Sequence, residues 1–195
     1  WVPELLFGTL RSSTNYDMSK KKVIGGKNGY GVKLAFIWST LGSVETVDHK
    51  RGLKYTQEYN ANFSEIGTPK VTKCKTAPYT QLTFKPDYTR LGLPDGKLTP
   101  DVIALFKKRA YDISAVTDKA ITVRYNSVPV PVKNFMQYVD LFIGDKKIAP
   151  RIYESVGERW EYAIAMSPTH EFMQVSLVNG IYTSKGGKHV DYILN

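Results

Sequence analysis

Four glycines and two lysines lie within the segment IGGKNGYGVKL, residues 24–34. Glycine in an ordered segment costs roughly 0.5 to 1 kcal/mol relative to alanine, so this density of glycine calls for a compensating use. The usual use is close approach of the bare backbone to an anion that accepts hydrogen bonds from main-chain N–H groups. Lys27 and Lys33 add charge-assisted donors for the same anion. The segment therefore indicates a phosphate-binding loop, although a glycine-rich surface turn before a core helix explains the spacing equally well.

Neither of the two common phosphate loops matches this segment. From Gly26 the Walker A spacing reaches Gly31, but Val32 stands where that loop has its lysine. The dinucleotide fingerprint begins at Gly29 and then has Leu34 in place of its last glycine. Both specific motifs are excluded, while the physical reason for glycines before a helix remains.

The sequence around the loop predicts an α+β fold. VKLAFIWSTL predicts a short, deeply buried helix directly after the glycines. SVETVD and LKYTQEYN alternate at period two and predict a hairpin. KVTKCK and YTQLTFKPD repeat that arrangement and predict a second hairpin. An antiparallel sheet is therefore expected.

The second half of the chain begins with its clearest helix, TPDVIALFKKRAYDISA, which has Thr99 as N-cap and Pro100 in the first turn. Asp112 on this helix is expected to be solvated or to cap it. A domain boundary is predicted near Val132 and Lys133. The other segments predict a strand pair, a helix, a hairpin and a strand, in the order AITVRYN with VPVPV, NFMQYVDLFIG, RIYESV with RWEYAIAM, and MQVSLVNGIY.

The composition limits the classes of protein that fit. Lys and Arg number 27 against 18 Asp and Glu, which gives a net charge of +9 and favours an anionic partner such as nucleic acid or nucleotide. Cys74 is the single cysteine, which excludes an intrachain disulfide and argues against a thiolate metal site. No window approaches the roughly 18 apolar residues of a membrane span, so no membrane partner is expected. The chain opens at Trp1 instead of methionine, and a fragment of a larger protein is expected.

Several motifs in order resemble one known family. GGKNGYGVKL follows LRSSTNYD, and then come KRAYDI, PVKNFMQYVD and TSKGGKHVDYI. Together they resemble the ATPase region of eukaryotic-type DNA topoisomerase II, a member of the gyrase, Hsp90, histidine kinase and MutL (GHKL) superfamily. The resemblance extends over essentially all 195 residues.

The resemblance implies the C-terminal part of a GHKL-type ATP-binding α/β sandwich, with an antiparallel or mixed sheet and helices on one face. This part would comprise residues 1–133. Residues 134–195 would form the start of a transducer domain, in which TSKGGKH lies close to the nucleotide-binding half.

The resemblance also implies a nucleotide site. Residues 26–33, called the glycine loop below, would wrap the ATP phosphates, with Lys33 as a direct phosphate partner. Lys27 stands where arginine is more usual, so its contact would be a point charge and not a bidentate pair. Thr80 falls where the family has a threonine beneath the adenine. The implied nucleotide-binding residues are Ser13, Thr14, Asn15, Gly26, Lys27, Asn28, Gly29, Tyr30, Gly31, Val32, Lys33 and Thr80.

The family's general-base glutamate and magnesium-binding asparagine precede the matching segment, and its γ-phosphate lysine follows it. No catalytic residue and no metal ligand is therefore expected within these residues, which alone are not expected to hydrolyse ATP. The implied cofactors are ATP and Mg²⁺, and the implied partners are double-stranded DNA and a second copy in a homodimer. The implied activity of the whole enzyme is ATP-driven passage of one duplex through a transient break in another. The expected location is the nucleus, or the host cytoplasm or replication site for a large DNA virus.

Two other interpretations remain open. A non-enzymatic basic module, whose glycine loop touches the DNA backbone, explains the charge and would bind with steep salt dependence. It gives no reason for the order of the motifs. A gyrase B-type subunit fits less well, because such proteins carry an acidic residue where Lys185 stands.

Overall fold

The computed structural model describes residues 1–17, 19, 24–93 and 95–195. As far as they are described, residues 1–20 and 26–98 form one compact unit, and residues 21–25 and 99–195 form another. The elements of the first unit are α1 (Val2–Gly8), α2 (Gly31–Ile37), β1 (Ser39–Asp48), β2 (Leu53–Asn60), β3 (Glu65–Ile66), β4 (Lys70–Lys73) and β5 (Thr80–Pro86). Those of the second are α3 (Pro100–Ala115), β6 (Arg124–Tyr125), β7 (Val128–Pro129), α4 (Phe135–Ile143), β8 (Arg151–Val156), β9 (Trp160–Ala165), β10 (Leu177–Val178), β11 (Ile181–Tyr182) and α5 (Lys188–Leu194).

A five-stranded antiparallel sheet is the framework of the first unit. Its strand order is β3-β2-β1-β5, and β4 also pairs with β2. The predicted hairpin of SVETVD and LKYTQEYN is confirmed, because β1 and β2 pair in a register that sets Thr46 opposite Tyr55. Helices together with antiparallel sheets confirm the α+β class.

The second predicted hairpin, of KVTKCK with YTQLTFKPD, is wrong. β4 pairs with β2 and β5 pairs with β1, so these two strands lie on opposite edges of the β1–β2 hairpin. The connection between them crosses the end of that hairpin, where the Val47 N–H donates to the Tyr79 carbonyl at 3.0 Å. If β4 and β5 had paired with each other, the outer backbone groups of β1 and those of β2 opposite β4 would have lacked strand partners. The observed pairing gives both β1 and β2 a partner on their outer side.

Helix α2 is fixed by an aromatic contact with the sheet. Phe36 is fully buried and stacks on Tyr59 of β2, with ring centroids 4.9 Å apart. Val44 and Tyr55 complete this core cluster. Because Phe36 lies one turn beyond Lys33, this stack also fixes the start of the helix beside the glycine loop.

The helix predicted from VKLAFIWSTL is shorter than expected. It ends at Ile37, and Ser39 already begins β1. The Ser39 hydroxyl donates to the Ala35 carbonyl at 2.6 Å and so satisfies a carbonyl of the last turn. The apolar run therefore continues across a helix-to-strand junction, which periodicity alone does not mark.

The second unit has its core between α3 and α4. Helix α3 begins as predicted, since the Thr99 hydroxyl accepts from the Val102 N–H at 3.3 Å and Pro100 follows the cap. The core cluster contains Ala115, Val130, Val132 and Tyr138. The domain boundary near Val132 and Lys133 stays a prediction.

Asp112 is buried, contrary to the expectation of a solvated or capping carboxylate. Its exposed fraction is 2%. Lys108 Nζ donates to both carboxylate oxygens at 2.9 Å, and the Tyr138 hydroxyl donates at 2.6 Å. The position is explained by these donors, since a buried carboxylate is tolerated when it is paired and hydrogen-bonded.

In the described part of the second unit, three two-stranded sheets accompany this core. The predicted pairs of AITVRYN with VPVPV and of RIYESV with RWEYAIAM are confirmed as β6–β7 and β8–β9. MQVSLVNGIY is not one strand, because β10 and β11 form a hairpin around Asn179 and Gly180. Both turn residues have positive φ, the conformation that an Asn-Gly pair favours in two-residue hairpins.

Replacing Gly42 tests the packing of α2 against the sheet. A Cβ at this position would lie 2.5 Å from Cδ1 of the buried Phe36 ring. We expect Gly42→Ala to lower the free energy of unfolding by about 1 to 3 kcal/mol, because an overpacked core must shift. Thermal and urea unfolding of the purified protein measure the loss. Ser43→Ala, at the next position of β1, is the matched control, and equal stability of the two variants would contradict this packing.

Candidate functional site

Lys33 in the first turn of α2 is a buried cation. The residue is 1% exposed. The ammonium donates to the Gly29 carbonyl at 2.7 Å, the Ser12 hydroxyl at 2.8 Å and the Ser12 carbonyl at 3.4 Å. Burial lowers the pKa of Lys33, because desolvation penalises the charged form. Within the described part of the chain, none of the recorded ion pairs involves this lysine.

The close approach of the glycine loop to Ser12 and Lys33 requires a glycine at position 29. Its φ is +68°, a left-handed conformation that residues with a Cβ rarely adopt. A Cβ built there would lie 2.2 Å from the Ser12 carbonyl oxygen and 3.3 Å from the Lys33 ammonium. The glycine therefore permits both the turn of the loop and its close approach to Ser12.

Residues 11–16, called the polar segment below, dock against the glycine loop. Asn15 Nδ2 donates to the Gly26 carbonyl at 2.8 Å. The Tyr16 hydroxyl donates to the Arg11 carbonyl at 2.6 Å and lies 3.4 Å from the Asn28 carbonyl. These contacts hold the glycine loop on the side that faces the polar segment.

Arg11 adds a contact at the far end of the loop. Its Nε donates to the Tyr30 hydroxyl at 3.0 Å. This hydrogen bond and the phenol's charge interaction raise the pKa of Arg11. The φ of Arg11 is +58°, so the polar segment turns sharply where it meets the loop.

The outer side of the loop is open. Gly26, Lys27, Asn28 and Gly31 are exposed. A Cβ built at Gly26 or Gly31 meets nothing within 4 Å in the described structure. No described side chain caps the first turn of α2. A buried positive charge beneath an uncovered, glycine-rich backbone is an arrangement that suits an anionic ligand.

The structure brings most of the residues implied by the resemblance into this one cluster. The contacts above join Asn15, Gly26, Asn28, Gly29, Tyr30 and Lys33. Ser13 belongs to the polar segment, where its hydroxyl accepts from the Asn15 N–H at 3.1 Å. Thr14 is exposed in the same segment. Val32 packs against the core cluster of Phe36.

Thr80 lies elsewhere in the first unit. It is exposed on β5, and its hydroxyl is 2.8 Å from that of Thr46 on β1. Among the described residues, no hydrogen bond joins Thr80 to the glycine loop. The Lys33 ammonium donates to protein oxygens of Gly29 and Ser12, and its contact with phosphate stays a prediction.

Ser12, Arg11 and Tyr16 were missed by the sequence analysis. One sequence signal for a partner of Lys33 was available: the helical spacing of α2 sets Lys33 one turn before Phe36, on the same apolar face. A lysine on the apolar face of a helix must find oxygens nearby. The spacing does not say which oxygens, because Ser12 is 21 positions away in the chain.

The TSKGGKH segment is held by a separate polar cluster in the second unit. His189 Nε2 lies 3.0 Å from the Ser176 hydroxyl and 3.2 Å from that of Thr183. Gln174 Nε2 donates to the Ser184 carbonyl at 2.9 Å. In the described residues there is no group of three His, Cys, Asp or Glu that would suit a metal ion. None of the described helices combines the length and the apolar character that a membrane crossing requires.

Comparisons with known proteins agree on one family. DNA topoisomerase 2 of Arabidopsis thaliana is 43% identical over 200 residues, which cover 99% of this chain and 13% of the relative. That of Saccharomyces cerevisiae is 40% identical over 210 residues, or 99% of this chain and 14% of the relative. No family model matches the chain.

Solved structures agree with the sequence comparison. The ATPase region of Saccharomyces cerevisiae topoisomerase II superposes with a TM-score of 0.88 at 43% identity, covering 99% of this chain and 50% of that one. The ATPase and transducer domains of DNA topoisomerase II from Balamuthia mandrillaris also give 0.88, at 39% identity, covering 100% and 49%. The chain thus spans about a seventh of the curated relatives and half of the solved regions.

The fold is that of the ATPase region of a type II topoisomerase, within the GHKL superfamily. The chain belongs to the eukaryotic-type DNA topoisomerase II family.

Gly29→Ala is expected to release Lys33 from its buried position. A left-handed alanine costs about 1 to 2 kcal/mol, and its Cβ would displace the Ser12 carbonyl. Mass spectrometry after brief acetylation should find Lys33 unreactive in the wild type and modified in the variant. Gly26→Ala is the matched control, because open space surrounds that position. Unchanged protection of Lys33 in Gly29→Ala would contradict the described packing.

Proposed function

We propose that the chain forms the phosphate-binding part of an ATP site in a DNA topoisomerase II. The observation that carries the proposal is Lys33, a residue only 1% exposed whose ammonium donates to three oxygens beneath a loop with an open outer side. A buried cation without a carboxylate partner in the described structure is costly. The oxygens of Gly29 and Ser12 are neutral, so an anion bound over the loop would supply the missing countercharge. The ATPase regions of the relatives support a nucleotide as that anion.

The chemistry of the donor set fits a triphosphate. The loop offers main-chain N–H groups and the charges of Lys27 and Lys33, and hydrogen bonds to charged groups contribute roughly 1.5 to 3 kcal/mol each when well made. We assign phosphate binding to Gly26, Lys27, Asn28, Gly29, Tyr30, Gly31, Val32 and Lys33.

The remaining site residues are short and polar. Ser13, Thr14 and Asn15 suit hydrogen bonds on the ribose and phosphate side of the nucleotide. The loop contact of Asn15 supports this role, because it keeps the polar segment beside the proposed phosphate site. We assign Thr80 to the adenine, which rests on the family resemblance alone.

The domain organisation is proposed on the same basis. Residues 1–133 would complete the ATP-binding domain and residues 134–195 would begin the transducer. The turn of TSKGGKH has Gly186 and Gly187 at positive φ, and its proposed role in relaying the state of the nucleotide rests on the family resemblance.

We further propose that the whole enzyme is a homodimer that passes one DNA duplex through a transient break in another. ATP binding would close the dimer as a clamp. The net charge of +9 supports contact with DNA. Mg²⁺ would accompany ATP, with its protein ligand in the sequence that precedes these residues in the relatives. The nucleus, or the replication site of a large DNA virus, is the proposed location.

Lys33→Ala in the full-length enzyme is expected to weaken ATP binding by at least about tenfold, since one charged hydrogen bond is lost from a desolvated site. ATP-dependent relaxation of supercoiled DNA should be abolished. Lys27→Ala should lower the affinity only a few-fold, because exposed charges are screened. Lys50→Ala, in the exposed β1–β2 turn, is the control. Wild-type affinity and relaxation activity in Lys33→Ala would refute the assignment.

The 195-residue chain by itself is expected to release no phosphate from ATP. The proposed site holds the phosphates but includes no carboxylate to activate water. Phosphate release is measured on the purified chain, beside a longer ATPase region that includes the preceding residues. Steady turnover by the 195 residues alone would show that they contain a general base.

A further inference from the structure

One side-chain oxygen lies among the three acceptors of the Lys33 ammonium, and it belongs to Ser12. The Ser12 hydroxyl donates its proton to the Thr9 carbonyl at 2.8 Å and lies 3.4 Å from the Leu6 carbonyl. A hydroxyl has one proton and two acceptor lone pairs. Because the proton is used toward the end of α1, the lone pairs are left for Lys33.

The Ser12 backbone contributes to the same place. Its carbonyl oxygen is the third acceptor of Lys33, and it also occupies the space where a Gly29 side chain would lie. Ser12 thus contacts both the turn of the glycine loop and the cation beneath it. The residue connects α1, the loop and α2.

We propose that Ser12 is a positioning residue for phosphate binding, because its hydroxyl accepts a hydrogen bond from the Lys33 ammonium and fixes that group beneath the glycine loop. The proposal rests on the proposed function of that loop. Ser12 acts through Lys33 and not by contact with the ligand. Its neighbours Ser13, Thr14 and Asn15 are the residues that the family resemblance assigns to the nucleotide.

The protonation of Lys33 gives this role a measurable signature. Burial lowers the pKa of Lys33, and each oxygen acceptor opposes that effect by stabilising the charged form. Removal of the Ser12 hydroxyl should lower the pKa of Lys33 further. The variant would then lose the charged form at a lower pH than the wild type.

The other titratable groups in the polar segment, the adjoining residue 17 and the glycine loop are Arg11, Tyr16, Asp17, Lys27 and Tyr30. Arg11 donates to Tyr30, Tyr16 donates to the Arg11 carbonyl, and Asp17 accepts from Ser19. Lys27 is exposed on the loop. None of them makes a described hydrogen bond to the Lys33 ammonium, whose acceptors are Ser12 and Gly29. They remain the same in the variants below, so a change in pH profile reports on Lys33.

The test measures binding of a fluorescent, non-hydrolysable ATP analogue to the full-length enzyme across pH. At neutral pH, Ser12→Ala should weaken binding about tenfold, while Ser12→Thr, which keeps the hydroxyl, should stay within about twofold. The pH at which affinity declines should be lower in Ser12→Ala than in the wild type. Ser64→Ala is the matched control, because that hydroxyl donates to a turn carbonyl at Ala61.

A double-mutant cycle with Lys33→Met separates positioning from general stability. If Ser12 acts through Lys33, Ser12→Ala has no further effect once Lys33 is replaced. A tenfold loss in both backgrounds, or an unchanged pH profile, would overturn the proposal. If Ser12→Ala lowers the melting temperature too far for titration, the comparison of Ser12→Thr with Ser12→Val decides the same question. Failure of the wild-type enzyme to bind the analogue would instead overturn the proposed function, and the role of Ser12 with it.

Discussion

The burial of one ammonium group organises the candidate site. Lys33 lies on the buried side of α2, where an ammonium group without partners would cost several kcal/mol. The cost is offset because three oxygens from Gly29 and Ser12 surround it. To provide them, the glycine loop must turn back over the helix and the polar segment must lie against the loop. The left-handed φ of Gly29 follows from this requirement.

The sheet supplies the fixed surface against which this arrangement is built. Phe36 is held between Gly42 of β1 and the ring of Tyr59 on β2, so α2 cannot rotate without breaking a stacked contact. Tyr59 is itself fixed, because its hydroxyl donates to Gln57 at 2.6 Å and Gln57 donates to the Gly67 carbonyl at 2.9 Å. Burial raises the pKa of Tyr59, which keeps the hydroxyl protonated as the donor. The chain of contacts runs from strand pairing to helix orientation and then to the position of Lys33.

Local sequence signals predicted the elements well and their long-range partners poorly. The Thr99 cap, the β1–β2 hairpin and the helix before β1 all depend on residues that are close in the chain, and each was found. The pairing of β4 with β2 depends on which edge of a hairpin is open, and this property belongs to the assembled sheet. The Asn179–Gly180 pair is a local turn signal, but the apolar residues on both sides of it favour a single strand, and the structure has a hairpin there.

The same division applies to the site. The glycine density and the two lysines indicated an anion-binding loop, because backbone freedom and charge are visible in composition. The role of Ser12 was not visible, since it depends on a contact between residues 12 and 33. Asp112 was misjudged for a similar reason, because one of its donors, Tyr138, lies on another helix. A charged residue on a partly apolar helix face predicts that a partner exists, and only the fold identifies it.

The number of acceptors around Lys33 explains why a lysine suits this position. An ammonium group has three N–H donors, and the surrounding protein offers three oxygens, so none is left unsatisfied. An arginine would bring five donors in a planar fork and leave at least two without partners in the same space. The contact to the Ser12 carbonyl is the longest, at 3.4 Å, and therefore the weakest of the three. An approaching anion would compete with this contact first, while the shorter bonds to Gly29 and the Ser12 hydroxyl keep the loop in place.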